Sequence, residues 1–167
     1  RDAIGSCTID LSFGNWIETK RAAFEVSVHD GYRVVRLYTY DARNTNPRLL
    51  EQDRVVEITE HGTNIKFLLK DDETFELPPG FFLIAPTKER IHVPTDLVMR
   101  LGGRSTYARK GITIELSSDR FDPGWCGVAV MEIANVGQAA FNLFPGLPLC
   151  CVVFEHLSSH VAIPYFA

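Results

Sequence analysis

An all-β fold is what this sequence predicts. Short runs of alternating or β-branched residues recur at a spacing of roughly ten positions, and Gly and Pro punctuate them. No segment sustains the 3.6-residue periodicity of a long amphipathic helix. Many short strands punctuated in this way form an antiparallel sandwich, jelly roll or barrel.

The first run, Thr8-Ile9-Asp10-Leu11-Ser12-Phe13, alternates with period two and stops at Gly14-Asn15. Arg33 to Tyr40, Val55 to Ile58, Ile65 to Leu69 and Thr74 to Leu77 follow, parted by polar turn residues. Pro78-Pro79-Gly80 turns the chain into Phe81-Phe82-Leu83-Ile84, and Pro86, which lacks an N–H, is expected to close that run. Ile112 to Leu116, Gly127 to Ala134, Phe141 to Phe144 and Leu149 to Phe154 complete the set. Helix is expected for a turn or two at most, within Leu97 to Lys110, because Gly102-Gly103 interrupts anything longer. Asp41 to Asp53 reads as a long exposed loop.

Composition narrows the function classes. A chain of 167 residues suits one domain, 1–167, and is long enough to bury roughly 70% of its surface without staples. Apolar residues make up 46% and charged residues 23%, as in ordinary globular proteins. Seventeen basic against 21 acidic residues leave a charge of -4, which disfavours a nucleic-acid partner. The longest uncharged apolar stretch, Leu147 to Phe154, falls far short of the ~20 residues that span a bilayer. With no signal or transit pattern, a cytoplasmic protein without a membrane partner is expected. The chain opens at Arg1 without Met, so native terminal segments are expected to lie outside it. Cys7, Cys126 and the neighbours Cys150 and Cys151 include no C-x-x-C pair and read as reduced thiols filling strands.

Three features carry candidate chemistry. Arg100, Arg104, Arg109 and Lys110 fall in an acid-free stretch of an acidic chain, around Gly102-Gly103-Arg104-Ser105-Thr106. Glycine-freed N–H groups, hydroxyls and a guanidinium fork suit a polyphosphate, although charge alone fits a solvated basic loop better. Alternation in the run Val128 to Ile133 puts Val128, Val130 and Glu132 on one face. A carboxylate on an apolar face is either paired with a cation or raised in pKa by desolvation, and both suit a general base; a structural ion pair or subunit contact is the competing reading. Asp122-Pro123-Gly124-Trp125 is a rigid turn whose carboxylate either binds a sugar hydroxyl or caps the turn. His156 and His160 make a weak metal pair, and the H-x-E and P-C-x-x-C signature of zinc deaminases is absent from the sequence.

These residues together resemble a known family. Gly103-Arg104-Ser105-Thr106-Tyr107-Ala108-Arg109-Lys110-Gly111 resembles the G-R-S-S-L-A-R-x-G motif of dCTP deaminases and, more loosely, the phosphate motif of dUTPases. Asp122-Pro123-Gly124-Trp125-Cys126-Gly127 is similar to the D-P-G-[WF]-x-G that follows it, and Glu132 falls where deaminases carry the L-E of their catalytic strand. Asn135-Val136-Gly137, Phe144-Pro145-Gly146 and the early Thr8 to Gly14 run match further landmarks. The departures are Ser117-Ser118 for a common T-A pair, Cys150-Cys151 for G-Q, and an end at Ala167 where relatives continue.

The resemblance implies a distorted jelly roll of the dUTPase-like type, a homotrimer with active sites between subunits, and hydrolysis of dCTP to dUTP and ammonia without zinc. Glu132 would then be the general base, with Ser105 and Arg109 positioning the attacking water. Arg104, Ser105 and Thr106 would also hold phosphates, with Mg2+ bound through the triphosphate. Asp122 would bind the deoxyribose 3′-hydroxyl and Phe121 would exclude a 2′-hydroxyl. Ser117 and Ser118 would read the base edge, and Val130 and Tyr165 would line the nucleotide site. A dUTPase, a bifunctional enzyme giving dUMP and pyrophosphate, and a non-catalytic nucleotide-binding member of the fold are the alternatives. Arg120 and Trp125, flanking the aspartate, favour the deaminase-only form.

Overall fold

The computed structural model describes residues 8–20, 22–29, 32–39, 55–58 and 64–165, with side chains described for 8–18 and 68–165. Its strands are β1 (Ile9–Ser12), β2 (Trp16–Lys20), β3 (Ala22–His29), β4 (Tyr32–Thr39), β5 (Val55–Ile58), β6 (Asn64–Leu68) and β7 (Glu73–Leu77). They continue with β8 (Phe82–His92), β9 (Leu97–Gly103), β10 (Ile112–Thr113), β11 (Arg120–Phe121), β12 (Cys126–Asn135), β13 (Phe141–Leu143) and β14 (Pro148–His156). A single helical turn, α1 (Ser105–Ala108), follows β9. The all-β expectation therefore holds over the described residues. The expected loop Asp41 to Asp53 lies outside them.

Three sheets form, in the orders β1-β14-β9-β11, β10-β12-β8-β2-β6-β5 and β13-β7-β4-β3. Among the residues whose side chains are described, those of β1, β2, β7, β8, β9, β12, β13 and β14 meet in one core, with Phe13, Phe75, Met99, Met131 and Leu149 fully enclosed. Burying a side chain of this size stabilises by roughly 1.5–3 kcal/mol, and the close packing resists substitution. Cys150 belongs to this core as a small apolar filler.

Several local expectations are corrected. β9 continues through Gly102 and Gly103, which lie in ladder register with Cys151 and Cys150 of β14. The glycines thus build a strand and do not form a free phosphate loop, and helix is confined to one turn after them. β8 does not end at Pro86 but runs on to His92. The ladder with β12 shifts there: Val130 faces Pro86 while Val128 faces Arg90. Pro86 sits at this bulge, where a missing N–H costs no ladder bond. Thr87 bridges the gap, its Oγ1 accepting the Ala129 N–H at 3.0 Å. The run expected from Ile112 to Leu116 pairs as a strand only at Ile112–Thr113. β2, β3 and β11 lie outside the expected runs.

Candidate active site

Three segments that carry candidate chemistry flank β9 and β12. The first is the turn that contains α1. Arg104 precedes α1 in extended conformation, and Tyr107 turns inward to pack edge-on against Phe141 at 5.5 Å. Ser105, Thr106, Arg109 and Lys110 remain exposed. The Ser105, Thr106 and Arg109 side chains have no partner among the described residues, so their donors are available to a ligand or another subunit. Lys110 lies over the Phe141 ring, 5.9 Å from its centre.

The turn is locked by the landmarks that follow β12. Gly111 has φ +84, and its carbonyl accepts the Val136 N–H at 2.8 Å. Asn135 is fully buried and its side chain is fully used. Its amide donates to Leu77 O and Ala139 O, both at 2.9 Å, and its oxygen accepts the Gly137 N–H at 2.9 Å. A satisfied buried amide of this kind fixes a single backbone arrangement.

The second segment runs from β10 to β11 and crosses Glu132. The Glu132 N–H donates to Ile114 O at 3.1 Å, and Glu132 Oε2 accepts the Leu116 N–H at a long 3.4 Å. Ser117 and Ser118 follow at once, exposed, so the structure brings Glu132 beside the segment expected to read a base. Val128, Val130 and Glu132 do share a face of β12, but it is the outward one. Ala129, Met131 and Ile133 fill the core, while Val130 is 46% exposed and Glu132 half-buried. Within one chain that apolar face shelters Glu132 only partly. No described residue offers it an ion pair, and no direct bond joins it to Ser105 or Arg109.

The third segment is the Asp122 turn. Trp125 N–H donates to Asp122 O at 3.0 Å, and Gly124 takes φ +87. Phe121 packs edge-on against Trp125 with ring centres 4.7 Å apart. Asp122 Oδ1 pairs with Arg120 Nε at 3.0 Å on the surface. The chain end returns here, with Tyr165 N–H donating to Pro123 O at 3.0 Å. Tyr165, far from Phe121 and Asp122 in sequence, therefore lies beside their turn.

The basic stretch is less free than its composition suggests. Arg100 reaches Asp119 at 3.1 Å and Glu155 at 3.3 Å. Its hydrogen bond to Asp119 and the charges of both acids raise its pKa above the ordinary arginine value. Arg104 Nη1 lies 3.4 Å from Asp10 Oδ2 and donates to Pro148 O at 3.0 Å. Asp10 is not marked by the sequence, because it shares the polar face of an alternating strand with Thr8 and Ser12. Among the described residues no group of three or more His, Cys, Asp or Glu side chains is arranged to hold a metal, and no helix is long and apolar enough to cross a membrane.

A family model described as dCTP deaminase-like matches residues 1–157. The dCTP deaminase of Thermomicrobium roseum is 35% identical over 162 residues, covering 97% of this chain and 70% of that protein. A protein of Coprothermobacter proteolyticus named dCTP deaminase, dUMP-forming, is 45% identical over 89 residues, covering 53% of this chain and 48% of its own length. The crystal structure of the Agrobacterium tumefaciens 2′-deoxycytidine 5′-triphosphate deaminase superposes with a TM-score of 0.60 at 18% identity. It covers 92% of this chain and 39% of that one, a likeness of fold. With a family model matching residues 1–157 and a relative 35% identical over 97% of it, this chain belongs to the dCTP deaminase-like family.

Proposed function

We propose that the protein hydrolyses dCTP to dUTP and ammonia, with Glu132 as general base. The observation that carries this reading is the setting of Glu132: β12 has no other carboxylate, and this one is half-buried on an apolar outward face, held by the Leu116 N–H beside Ser117 and Ser118. Glu132 removes a proton from water as it attacks cytosine C4, and hands it towards N3 and the departing amine. Ser105 and Arg109 orient the water and offset negative charge at the tetrahedral centre. Neither touches Glu132 within the chain, which supports their delivery by a neighbouring subunit. A homotrimer with sites between subunits is the assembly this implies, with Val130 and its exposed neighbours on the buried side.

Arg104, Ser105 and Thr106 hold the triphosphate. Their hydroxyls and guanidinium group suit phosphate oxygens, and the described residues build no carboxylate cage for a cation, so Mg2+ enters bound to the nucleotide and neutralises its charge. Asp122 takes the 3′-hydroxyl, Phe121 occupies the space of a 2′-hydroxyl, and Tyr165 closes over the sugar beside Pro123. Ser117 and Ser118 read the base through their backbone. Zinc has no part in this scheme, because the carboxylate supplies the basicity a metal would otherwise give the water.

Incubation with dCTP and Mg2+ tests the reading. Ammonia and dUTP in equal amounts are expected. Release of dUMP and pyrophosphate would establish the bifunctional alternative, which the name of the Coprothermobacter relative keeps in view. Absence of ammonia would overturn the proposal.

A further inference from the structure

We infer that Asp10 is a positioning residue for Arg104, holding its guanidinium ready for the triphosphate. The inference rests on the reading of Arg104 as a phosphate ligand. Both contacts of the guanidinium use one nitrogen, Nη1: the Asp10 carboxylate at 3.4 Å and the Pro148 carbonyl at 3.0 Å. Asp10 belongs to β1 and Pro148 to the start of β14, adjacent strands that pair Asp10 with Cys151 and Ser12 with Pro148. Arg104 leaves the end of β9 on the other side of β14. The guanidinium therefore spans the ends of three strands.

The geometry divides the guanidinium into two working edges. Arginine presents five N–H donors in a rigid plane, so anchoring Nη1 also orients Nε and Nη2. Those two nitrogens have no partner among the described residues, and they form the edge that grips two phosphate oxygens at once. The Arg104 side chain is 33% exposed and that of Asp10 27%, so the pair is sheltered enough to be ordered and open enough to meet a ligand. The nearby acid Glu89 is occupied elsewhere, its Oε2 accepting the Ser12 N–H at 2.8 Å. An arginine already fixed in its bound orientation loses less rotamer freedom when the triphosphate arrives.

The sign of the effect separates this role from a plain charge effect. A carboxylate near a polyphosphate repels it, so if charge alone mattered Asp10→Asn would tighten dCTP binding. A positioning role predicts the reverse: dissociation constant and KM for dCTP with Mg2+ rise roughly fivefold, with kcat within about twofold. Asp10→Glu, which keeps the carboxylate, is expected to recover most of the loss. In an Arg104→Ala background the Asp10→Asn change should then have no further effect, because its target is gone. Calorimetric binding and turnover are both read, with melting temperatures confirming that each variant is folded. Unchanged or tighter binding by Asp10→Asn, or an undiminished effect without Arg104, overturns the inference while leaving dCTP deamination standing. Failure of the unaltered protein to bind dCTP overturns both.

Discussion

Gly111 and Gly137 cross so closely that a Cβ on Gly111 would overlap the Gly137 nitrogen and Cα. This crossing joins the α1 turn, which carries Ser105 and Arg109, to the end of β12, which carries Glu132. Gly111 also has φ +84, so alanine there meets both backbone strain and a backbone clash. Gly80, with φ +78 but open space around it, isolates the first of these. Gly80→Ala should cost about 1 kcal/mol in denaturant unfolding, and Gly111→Ala roughly 2–4 kcal/mol. Equal costs would mean that the crossing yields easily and does not fix the turn.

What the sequence makes legible follows from what alternation can encode. The period of β12 is plain, and so is the sharing of one face by Val128, Val130 and Glu132. Which face points inward is not, because Ala129, Met131 and Ile133 are as apolar as the valines opposite them. β9 escapes because Gly102-Gly103 has no side-chain pattern; its strand conformation comes from pairing with Cys150 and Cys151, a contact distant in sequence. Pro86 likewise reads as a stop because the remedy, the Thr87 hydroxyl taking up the Ala129 N–H, is tertiary. Motif residues behave differently. Gly111, Asn135 and Gly137 are recognisable in order, and each fixes backbone: Asn135 by its three hydrogen bonds, the glycines by their close crossing.

Glu132→Gln tests the base while keeping the shape of the side chain. The amide oxygen can still accept the Leu116 N–H, so the 114–119 segment should stay in place. Turnover of dCTP should fall at least ~100-fold, the lower range for losing general base catalysis. The dissociation constant for dCTP should change by no more than about threefold, since the proposed role is expressed in the transition state. Single-turnover ammonia release and calorimetry measure the two; substantial residual turnover would remove Glu132 from the base role.

Phe121 is held against Trp125, edge to face at 4.7 Å, so its ring cannot swing aside without losing that contact. With the sugar at Asp122, as proposed, a ring fixed beside it would reject ribonucleotides sterically. Phe121→Ala should lower the ratio of kcat/KM for dCTP over CTP by about tenfold, the scale of one lost apolar packing contact. Most of the change should appear as gained CTP turnover. A ratio that stays constant while both activities fall would make Phe121 a packing residue only.

Cys150 provides a test of the fold that is independent of catalysis. Its side chain is fully buried in β14, with Sγ 3.8 Å from Leu11 O. Burial, followed by the charges of Cys151, Glu89 and Asp10, pushes its thiol up to about 12. In the unfolded chain a cysteine titrates near ~8.5. The native state therefore keeps a proton that the unfolded chain releases. The resulting stability is complete below the unfolded value and drains away as pH rises towards the folded one, at about 1.4 kcal/mol per unit. Other groups titrate in the same range, so the comparison that matters is with Cys150→Ala. That variant starts less stable, because it leaves a small cavity, but its melting temperature should fall less steeply between pH ~9 and ~11. The native Cys150 thiol should also resist alkylation at pH ~8 until the protein unfolds. Parallel pH profiles for the two proteins, or rapid native labelling of Cys150, would place this sulfur outside the protected core.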